Sequence, residues 1–139
     1  MTLNIVQGIK AGVPRTSRSL GQATVEFAFA GTIFIMIVFG TIDFGRAIFS
    51  YSELHNAVRE GARVAKVRPT DTSAIRSEVI VKSPGLGLTD SGIGVTCSGG
   101  CATGGSVTVT ASIDFAGITQ DIFGVSPFTM TSSARVDIE

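Results

Sequence analysis

Residues that bind metals or carry out catalysis are scarce in this 139-residue sequence. It contains one histidine, His55, two cysteines and no tryptophan. A structural zinc site usually takes four nitrogen or sulfur ligands, so a lone histidine and one cysteine pair predict no metal site. No phosphate-binding glycine loop occurs, and no serine or cysteine lies in a nucleophile motif. The sequence therefore predicts a protein that is not an enzyme and that needs no cofactor.

Acidic residues are absent from the start of the chain. Residues 1–21 contain Lys10, Arg15 and Arg18, whereas all eleven carboxylates lie from Glu26 onward. The part after residue 21 has eight basic and eleven acidic residues and therefore a formal charge of −3. A nucleic-acid-binding domain instead concentrates basic residues on one face. The charge distribution argues against nucleic acid as a partner.

Ionisable residues are also absent from Phe27 to Ile42. As a helix, the apolar segment of residues 22–42 is about 31 Å long, which matches the hydrocarbon core of a bilayer. The basic residues before it predict a cytoplasmic N-terminus and an exported part after Asp43. The alternative is a cleaved secretory signal peptide. The sequence Gly40-Thr41-Ile42-Asp43 is a poor site for that cleavage.

The helical pattern continues beyond the apolar segment. Apolar residues recur at spacings of three and four, and polar residues form an opposite stripe. Pro69 disfavours a helical conformation at Arg68, so the pattern predicts one continuous helix over residues 22–67. The apolar stripe consists of Phe44, Ile48, Tyr51, Leu54, Val58, Ala62 and Ala65, and the polar stripe of Arg46, Ser50, Glu53, Asn56, Glu60 and Arg63.

Small residues form a second pattern on the exported half of this helix. Ala57, Gly61 and Ala65 follow one another at steps of four, so they lie on one face. Small side chains allow another element to approach the helix closely. The pattern predicts a packing surface, and it leaves open whether the partner is the protein's own sheet or a neighbouring subunit.

The C-terminal region, residues 68–139, has the pattern of a short helix followed by strands. Asp71 can cap a helix over residues 74–82. Apolar and polar residues then alternate from residue 93 to 97, from 106 to 115 and from 128 to 139, which predicts three antiparallel strands. One apolar face of such a sheet needs a cover. The sequence therefore predicts an α+β fold in which the long helix packs against a small antiparallel sheet.

Cys97 and Cys101 enclose three residues, Ser98-Gly99-Gly100. The compartment beyond the membrane is oxidising, which favours a disulfide over two free thiols. So short a closed loop gains roughly 2 kcal/mol by the chain-entropy estimate. We expect the bridge to fix a glycine-rich turn.

Three stretches of the sequence resemble the TadE-like family, pseudopilins of the tight-adherence (Tad/Flp) pilus machinery. The resemblance is dense over about residues 19–68. The three stretches are Gly21-Gln22-Ala23-Thr24-Val25-Glu26-Phe27-Ala28, Asp43-Phe44-Gly45-Arg46-Ala47 and Ala57-Val58-Arg59-Glu60-Gly61-Ala62-Arg63. The first also resembles the processing site of type IV prepilins, in which a basic leader ends in glycine and a carboxylate follows five residues later.

The resemblance implies a function and a set of partners. Residues 1–21 would be a leader, cut by a prepilin peptidase between Gly21 and Gln22, and Glu26 would pair with the N-terminal amine of a subunit being assembled. The chain would be a minor pilin or pseudopilin of the bacterial inner membrane, in contact with lipid, other pilins and the pilus assembly platform. Two alternatives remain open: a monomeric membrane-anchored binding domain and a pseudopilin of a secretion system.

Overall fold

The computed structural model describes residues 17–124 and 126–139. The chain divides into two compact units, Met1–Ile37 and Val38–Glu139. Residues 1–16, which form most of the predicted leader, lie outside the described residues. The elements in chain order are helix α1 (Ser17–Val67), helix α2 (Thr72–Val81), a 3-10 turn (Asp90–Gly92), strand β1 (Ile93–Ser98), strand β2 (Ser106–Phe115), helix α3 (Ile118–Phe123) and strand β3 (Phe128–Asp137).

Helix α1 ends at Val67, as the sequence predicts, and begins at Ser17, five residues before the predicted start. Among the described residues it is the one helix long and apolar enough to cross a membrane. Large apolar side chains project outward along its first part, and Phe27, Phe29 and Phe34 are all exposed. Among the described residues, the apolar window of this helix has no buried residue.

Helix α2 follows after a short turn and is capped by Asp71. The Ala74 amide and the Ser73 hydroxyl donate hydrogen bonds to Asp71 Oδ1 over 3.0 and 2.7 Å. The backbone bond from Ala74 and then the Ser73 hydroxyl hold the pKa of Asp71 below its ordinary value, since both donors favour the charged carboxylate. Asp71 therefore has the predicted capping role, and the helix begins two residues earlier than predicted.

The sheet has three antiparallel strands in the order β1-β2-β3. In the register, Val109 of β2 pairs with Val95 of β1 and with Ala134 of β3. Side chains alternate between the two faces of each strand, so this set of apolar residues shares one face. The same face is covered by helices, which confirms the predicted α+β fold.

The core of the Val38–Glu139 unit lies between the sheet, the second half of α1 and α2. Leu54 and Val58 of α1 are fully buried, as are Ile75 and Val79 of α2. Burial of such side chains contributes roughly 1.5–3 kcal/mol each. From the sheet, the core receives Ile93, Val107, Val109, Ala111, Phe115 and Met130.

The predicted apolar stripe is wrong over its first three residues. Phe44, Ile48 and Tyr51 are exposed, whereas Asp43 is only 7 % exposed and Ala47 is half-buried. The packed face of α1 thus begins one position earlier than predicted and meets the predicted stripe at Leu54. The reason is local: the start of α3 covers this turn of α1, and a carboxylate, not an aromatic ring, occupies the covered position.

Candidate functional site

Asp43 is the best-connected charged residue in the described chain, and it lies directly after the apolar segment. Its Oδ1 accepts a hydrogen bond from the Ile118 amide at 2.8 Å. Its Oδ2 accepts two more from Thr119, one from the amide and one from the hydroxyl, each at 2.7 Å. Amides at the start of a helix have no partner within that helix. Asp43 supplies that partner and thereby fixes α3 to α1.

Electrostatics reinforce this contact. Arg46 Nη1 lies 3.3 Å from Asp43 Oδ1, and its guanidinium lies over the Phe115 ring at 5.6 Å from the centroid. The Thr119 hydroxyl, followed by the Thr119 and Ile118 amides and the Arg46 charge, lowers the pKa of Asp43 to about 2. These donors outweigh the opposing effect of burial. Asp43 is therefore ionised at neutral pH and cannot act as a general acid there.

Gly117 makes the close approach possible. A Cβ atom at this position would lie 2.6 Å from Asp43 Oδ2, which is well inside van der Waals contact. Any other residue would push the carboxylate away from the amides that it binds. The site is a structural clamp, made of Asp43, Gly117, Ile118 and Thr119, and we refer to it below as the Asp43 clamp.

The predicted processing site and the predicted assembly carboxylate lie within about one turn of α1. Gln22 and Glu26 are exposed, and Gln22 Nε2 donates a hydrogen bond to Glu26 Oε1 over 3.2 Å. A Cβ atom added at Gly21 would meet nothing within 4 Å. The fold of the described residues thus places no steric requirement on glycine at this position.

The small-residue surface of Ala57, Gly61 and Ala65 packs inside the chain. All three residues are buried. A Cβ atom at Gly61 would clash with Val79 Cγ2 of α2 and lie 3.6 Å from Val109 Cγ1 of β2. The sequence left open whether this surface packs against the protein's own sheet or against a neighbouring subunit. In the structure it packs against the protein's own sheet and also against α2.

Cys97 and Cys101 are joined by a disulfide at the end of the β1–β2 hairpin, with 5.3 Å between their Cα atoms. The bridge closes the connection that returns the chain to β2. The same connection binds the end of β3, because the Gly104 amide donates to the Ile138 carbonyl and the Ile138 amide donates to the Gly105 carbonyl, both at 2.9 Å. The disulfide therefore stabilises a point where all three strands meet.

His55 takes part in packing between α1 and β3. Its Nδ1 lies 3.1 Å from the Ser132 hydroxyl, and its ring stacks on Tyr51 with 6.3 Å between centroids. The Ser132 side chain is buried, and among the contacts of the described residues no carboxylate orients the His55 ring. In that part of the chain, no group of three or more His, Cys, Asp or Glu side chains could hold a metal ion.

Two contacts escaped the sequence analysis. The Asp43 clamp joins residues about 75 positions apart. The one hint in the sequence is that a carboxylate directly follows a long apolar segment. Glu53, assigned to a free polar stripe, accepts a hydrogen bond from the Gly85 amide at 3.1 Å. Glu53 is therefore bound to the loop after α2, a contact that its place in the polar stripe does not predict.

A comparison with protein families agrees with the resemblance seen in the sequence. The family model described as TadE-like protein matches residues 21–63. This stretch of α1 is similar to TadE-like proteins. The match begins at Gly21, includes Glu26, Asp43 and Gly61, and ends before α2 and the sheet. Comparisons with curated proteins and with solved structures return no match to the chain.

Proposed function

We propose that this chain is a minor pilin or pseudopilin, a structural subunit that primes or joins a Tad/Flp-type IVb pilus. The observation that carries the proposal is the TadE-like match to residues 21–63, which starts at the glycine of the predicted processing site. The proposed role is structural. Its proposed partners are the other pilins, the inner-membrane assembly platform and, for the processing step, the prepilin peptidase. No nucleic acid, metal or cofactor is required.

The N-terminal half of α1 is the membrane anchor in this proposal. Residues 22–42 carry exposed apolar side chains along a continuous helix, and a helix of this length matches the bilayer core. The leader stays in the cytoplasm because its cations precede the apolar segment. Residues 68–139 then lie on the extracytoplasmic side, where the Cys97–Cys101 disulfide is stable.

Glu26 is the assembly carboxylate. It is exposed and bonded only to the neighbouring Gln22 among the contacts described. A carboxylate at the membrane edge has a cost, up to roughly 3 kcal/mol at mid-bilayer, and such residues usually serve a function. Cleavage after Gly21 would create an α-amino group at Gln22. A Glu26 carboxylate on one subunit can then attract the amine of the next.

Sequencing of the mature N-terminus tests the processing step. We expect the protein purified from its native membrane to begin at Gln22, and Gly21→Ala to accumulate the uncut form. Because the fold has room for a Cβ at residue 21, slow processing would reflect the peptidase and not misfolding. Gly31→Ala is the matched control, since Gly31 has equal space in the same helix. A native N-terminus at Met1, or one after residue 40, would contradict the proposal.

Substitution of Glu26 tests the assembly step. Glu26→Ala should leave membrane insertion intact or improved, because a charge leaves the lipid edge. Assembly should fail, so pili purified from cells carrying the variant should be absent or should lack this chain by mass spectrometry. Glu60→Ala, a second partly exposed glutamate of α1, should leave assembly unchanged. Normal assembly with Glu26→Ala would favour a membrane-anchored binding domain that never polymerises.

A further inference from the structure

Six of the exposed large apolar side chains in the Val38–Glu139 unit lie in two segments that the Asp43 clamp brings together. The first segment is the turn of α1 that follows Asp43, and the second is α3 with the start of β3. Phe44 and Phe128 line one cleft of about 270 Å³ together with Asp43 and Thr119. We call the set the apolar collar, and it consists of Phe44, Ile48, Phe49, Ile118, Ile122 and Phe128, all of them exposed.

The Asp43 clamp sets the height of this collar on α1. Ile118 and Thr119 bind the Asp43 carboxylate directly, so the start of α3 lies level with residue 43. Residue 43 is the first position after the apolar segment. Along an α-helix, Phe49 is only about 10 Å beyond Ile42, at ~1.5 Å per residue. The headgroup region on each side of the hydrocarbon core is about 5–8 Å thick.

Charge is nearly absent from the collar. Between residues 38 and 50 the ionisable residues are Asp43 and Arg46. Asp43 is satisfied by the amides of α3, and Arg46 lies over Phe115. Between residues 115 and 128 the sequence has one ionisable residue, Asp121. Exposed apolar side chains that cluster on a surface mark an interaction site. Phe44 and Phe128 line one cleft and Phe49 lines another on α1, and the collar begins two residues after the proposed membrane anchor.

We propose that the apolar collar is seated in the extracytoplasmic headgroup layer of the bilayer that residues 22–42 span. This inference rests on the proposed membrane anchoring. It assigns α3 the role of a second, interfacial membrane contact, in which apolar side chains enter the boundary between headgroups and acyl chains as in other interfacial elements. Lipid is the occupant because the collar begins where the anchor ends. Phe44 lies about 3 Å beyond Ile42 along α1, and Ile118 binds Asp43 at the same height, so both lie within the thickness of the headgroups.

Depth-dependent fluorescence quenching, measured on the full chain, tests whether the collar lies in the headgroup layer. Cys97 and Cys101 form a disulfide, so a cysteine introduced elsewhere can be labelled selectively with bimane under non-reducing conditions. The label is placed by Ile122→Cys in α3, and by Val81→Cys in α2 as the matched control. These side chains are similarly exposed, at 55 % and 64 %. The unsubstituted chain, treated in the same way, measures background labelling.

Each labelled protein is reconstituted in phosphatidylcholine–phosphatidylglycerol vesicles that carry a spin-labelled lipid, with the quencher either at the headgroup or deep in the acyl chain. We expect the headgroup quencher to remove most of the fluorescence at residue 122 and little at residue 81. Equal, weak quenching at the two positions would overturn the lipid seat. Weak headgroup quenching at residue 122 that is recovered on dilution of the protein in lipid, with a dimer seen by cross-linking before dilution, would assign the collar to a second copy at the undiluted ratio. Weak quenching that persists on dilution would overturn the lipid seat.

A third label separates this inference from the anchor on which it rests. Phe34→Cys places bimane near the middle of residues 22–42, where the deep quencher should act. Quenching at residue 34 without quenching at residue 122 would leave the anchor standing and overturn the collar. Absence of quenching at both positions would overturn the membrane anchor and the collar together.

Discussion

Residues 22–42 and residues 54–65 belong to the same helix, yet their side chains have opposite environments. In the first stretch the large apolar residues are exposed, and Phe34 has 66 % of its surface free. In the second stretch Leu54, Ala57 and Val58 have no exposed surface at all. The packed face of residues 54–65 is apolar too, so the apolar character of these side chains does not by itself distinguish the packed face from the first stretch.

The size of the side chains does distinguish the two stretches. The buried stretch has alanine or glycine at four of its packed positions, Ala57, Gly61, Ala62 and Ala65, which allows α2 and the sheet to approach the helix backbone. The exposed stretch has phenylalanine and isoleucine, whose bulk would hold such elements apart. Small residues thus predominate at the packed positions of residues 54–65, and large exposed side chains predominate in the half proposed to face lipid.

The strongest test of this comparison places the same charge in each half. Val58→Asp buries an unpaired carboxylate and should destabilise the Val38–Glu139 unit by about 4 kcal/mol. Phe34→Asp should leave that unit folded but weaken membrane retention, since Asp at mid-bilayer costs roughly 3 kcal/mol. Hydrogen exchange of β2 in detergent-solubilised full chain measures the first effect, and carbonate extraction of membranes measures the second.

Asn56→Asp is the control for position, because Asn56 is an exposed neighbour of Val58 on α1. It should change stability by no more than about 0.5 kcal/mol, as surface substitutions usually do. Loss of β2 protection in Phe34→Asp, or its retention in Val58→Asp, would break the proposed division of the helix.

Replacement of one glycine in each half by alanine should change the stability of the Val38–Glu139 unit less than Val58→Asp does. Gly61→Ala gains about 1 kcal/mol of helix propensity, but its Cβ clashes with Val79, and overpacking costs about 1–3 kcal/mol. We expect a net destabilisation on the order of 1 kcal/mol, seen as faster exchange in β2. Gly31→Ala meets no atom within 4 Å and should leave that exchange unchanged. A stabilised Gly61→Ala would mean that α2 can move away from α1.

Periodic patterns predicted most of the fold. Alternation of apolar and polar residues located the three strands, and Pro69 located the end of α1. The predicted stripe failed at Phe44 because a sequence pattern shows which residues are apolar and not which face is covered. Helix α3 was missed because its six residues are too few to show a helical period. The same limit hid the Asp43 clamp, since it depends on a contact between distant segments.

Some candidate site residues could be recognised from the sequence alone, whereas the contact partners of others could not. Gly21 and Glu26 stand out because one carboxylate follows a glycine at the edge of a long apolar run, a local feature that needs no structure. Gly61 could be recognised as a packing residue, but its partner could not, because α2 reaches it only through the fold. The partner of Glu53 could not be recognised for the same reason, since Gly85 lies on a loop whose path no periodic pattern describes.

The smallest expected effect concerns Asp43, at the boundary between the two halves of α1. Its ordinary pKa of 3.8 is lowered to about 2, so the clamp's contribution to stability is complete above about pH 3.8 and is lost as the pH falls to about 2. Thr119→Val keeps the shape of the side chain and removes the hydroxyl, which is the largest cause of the shift. In this variant the Asp43 pKa should rise toward 3.8, so the stability lost in acid should be smaller, and the loss should be complete at a higher pH than in the parent chain.

Carbon-13 NMR of the aspartate carboxyl groups measures this shift directly. Asp71 is the internal control, because its pKa is also lowered, but by Ala74 and Ser73 on its own helix. It should titrate identically in the parent chain and in Thr119→Val. If the Asp43 pKa stayed low in the variant, the two amides and Arg46 would suffice to hold the charge. If the pKa of Asp71 moved as well, the substitution would have disturbed the fold as a whole and not only the contact between Asp43 and α3.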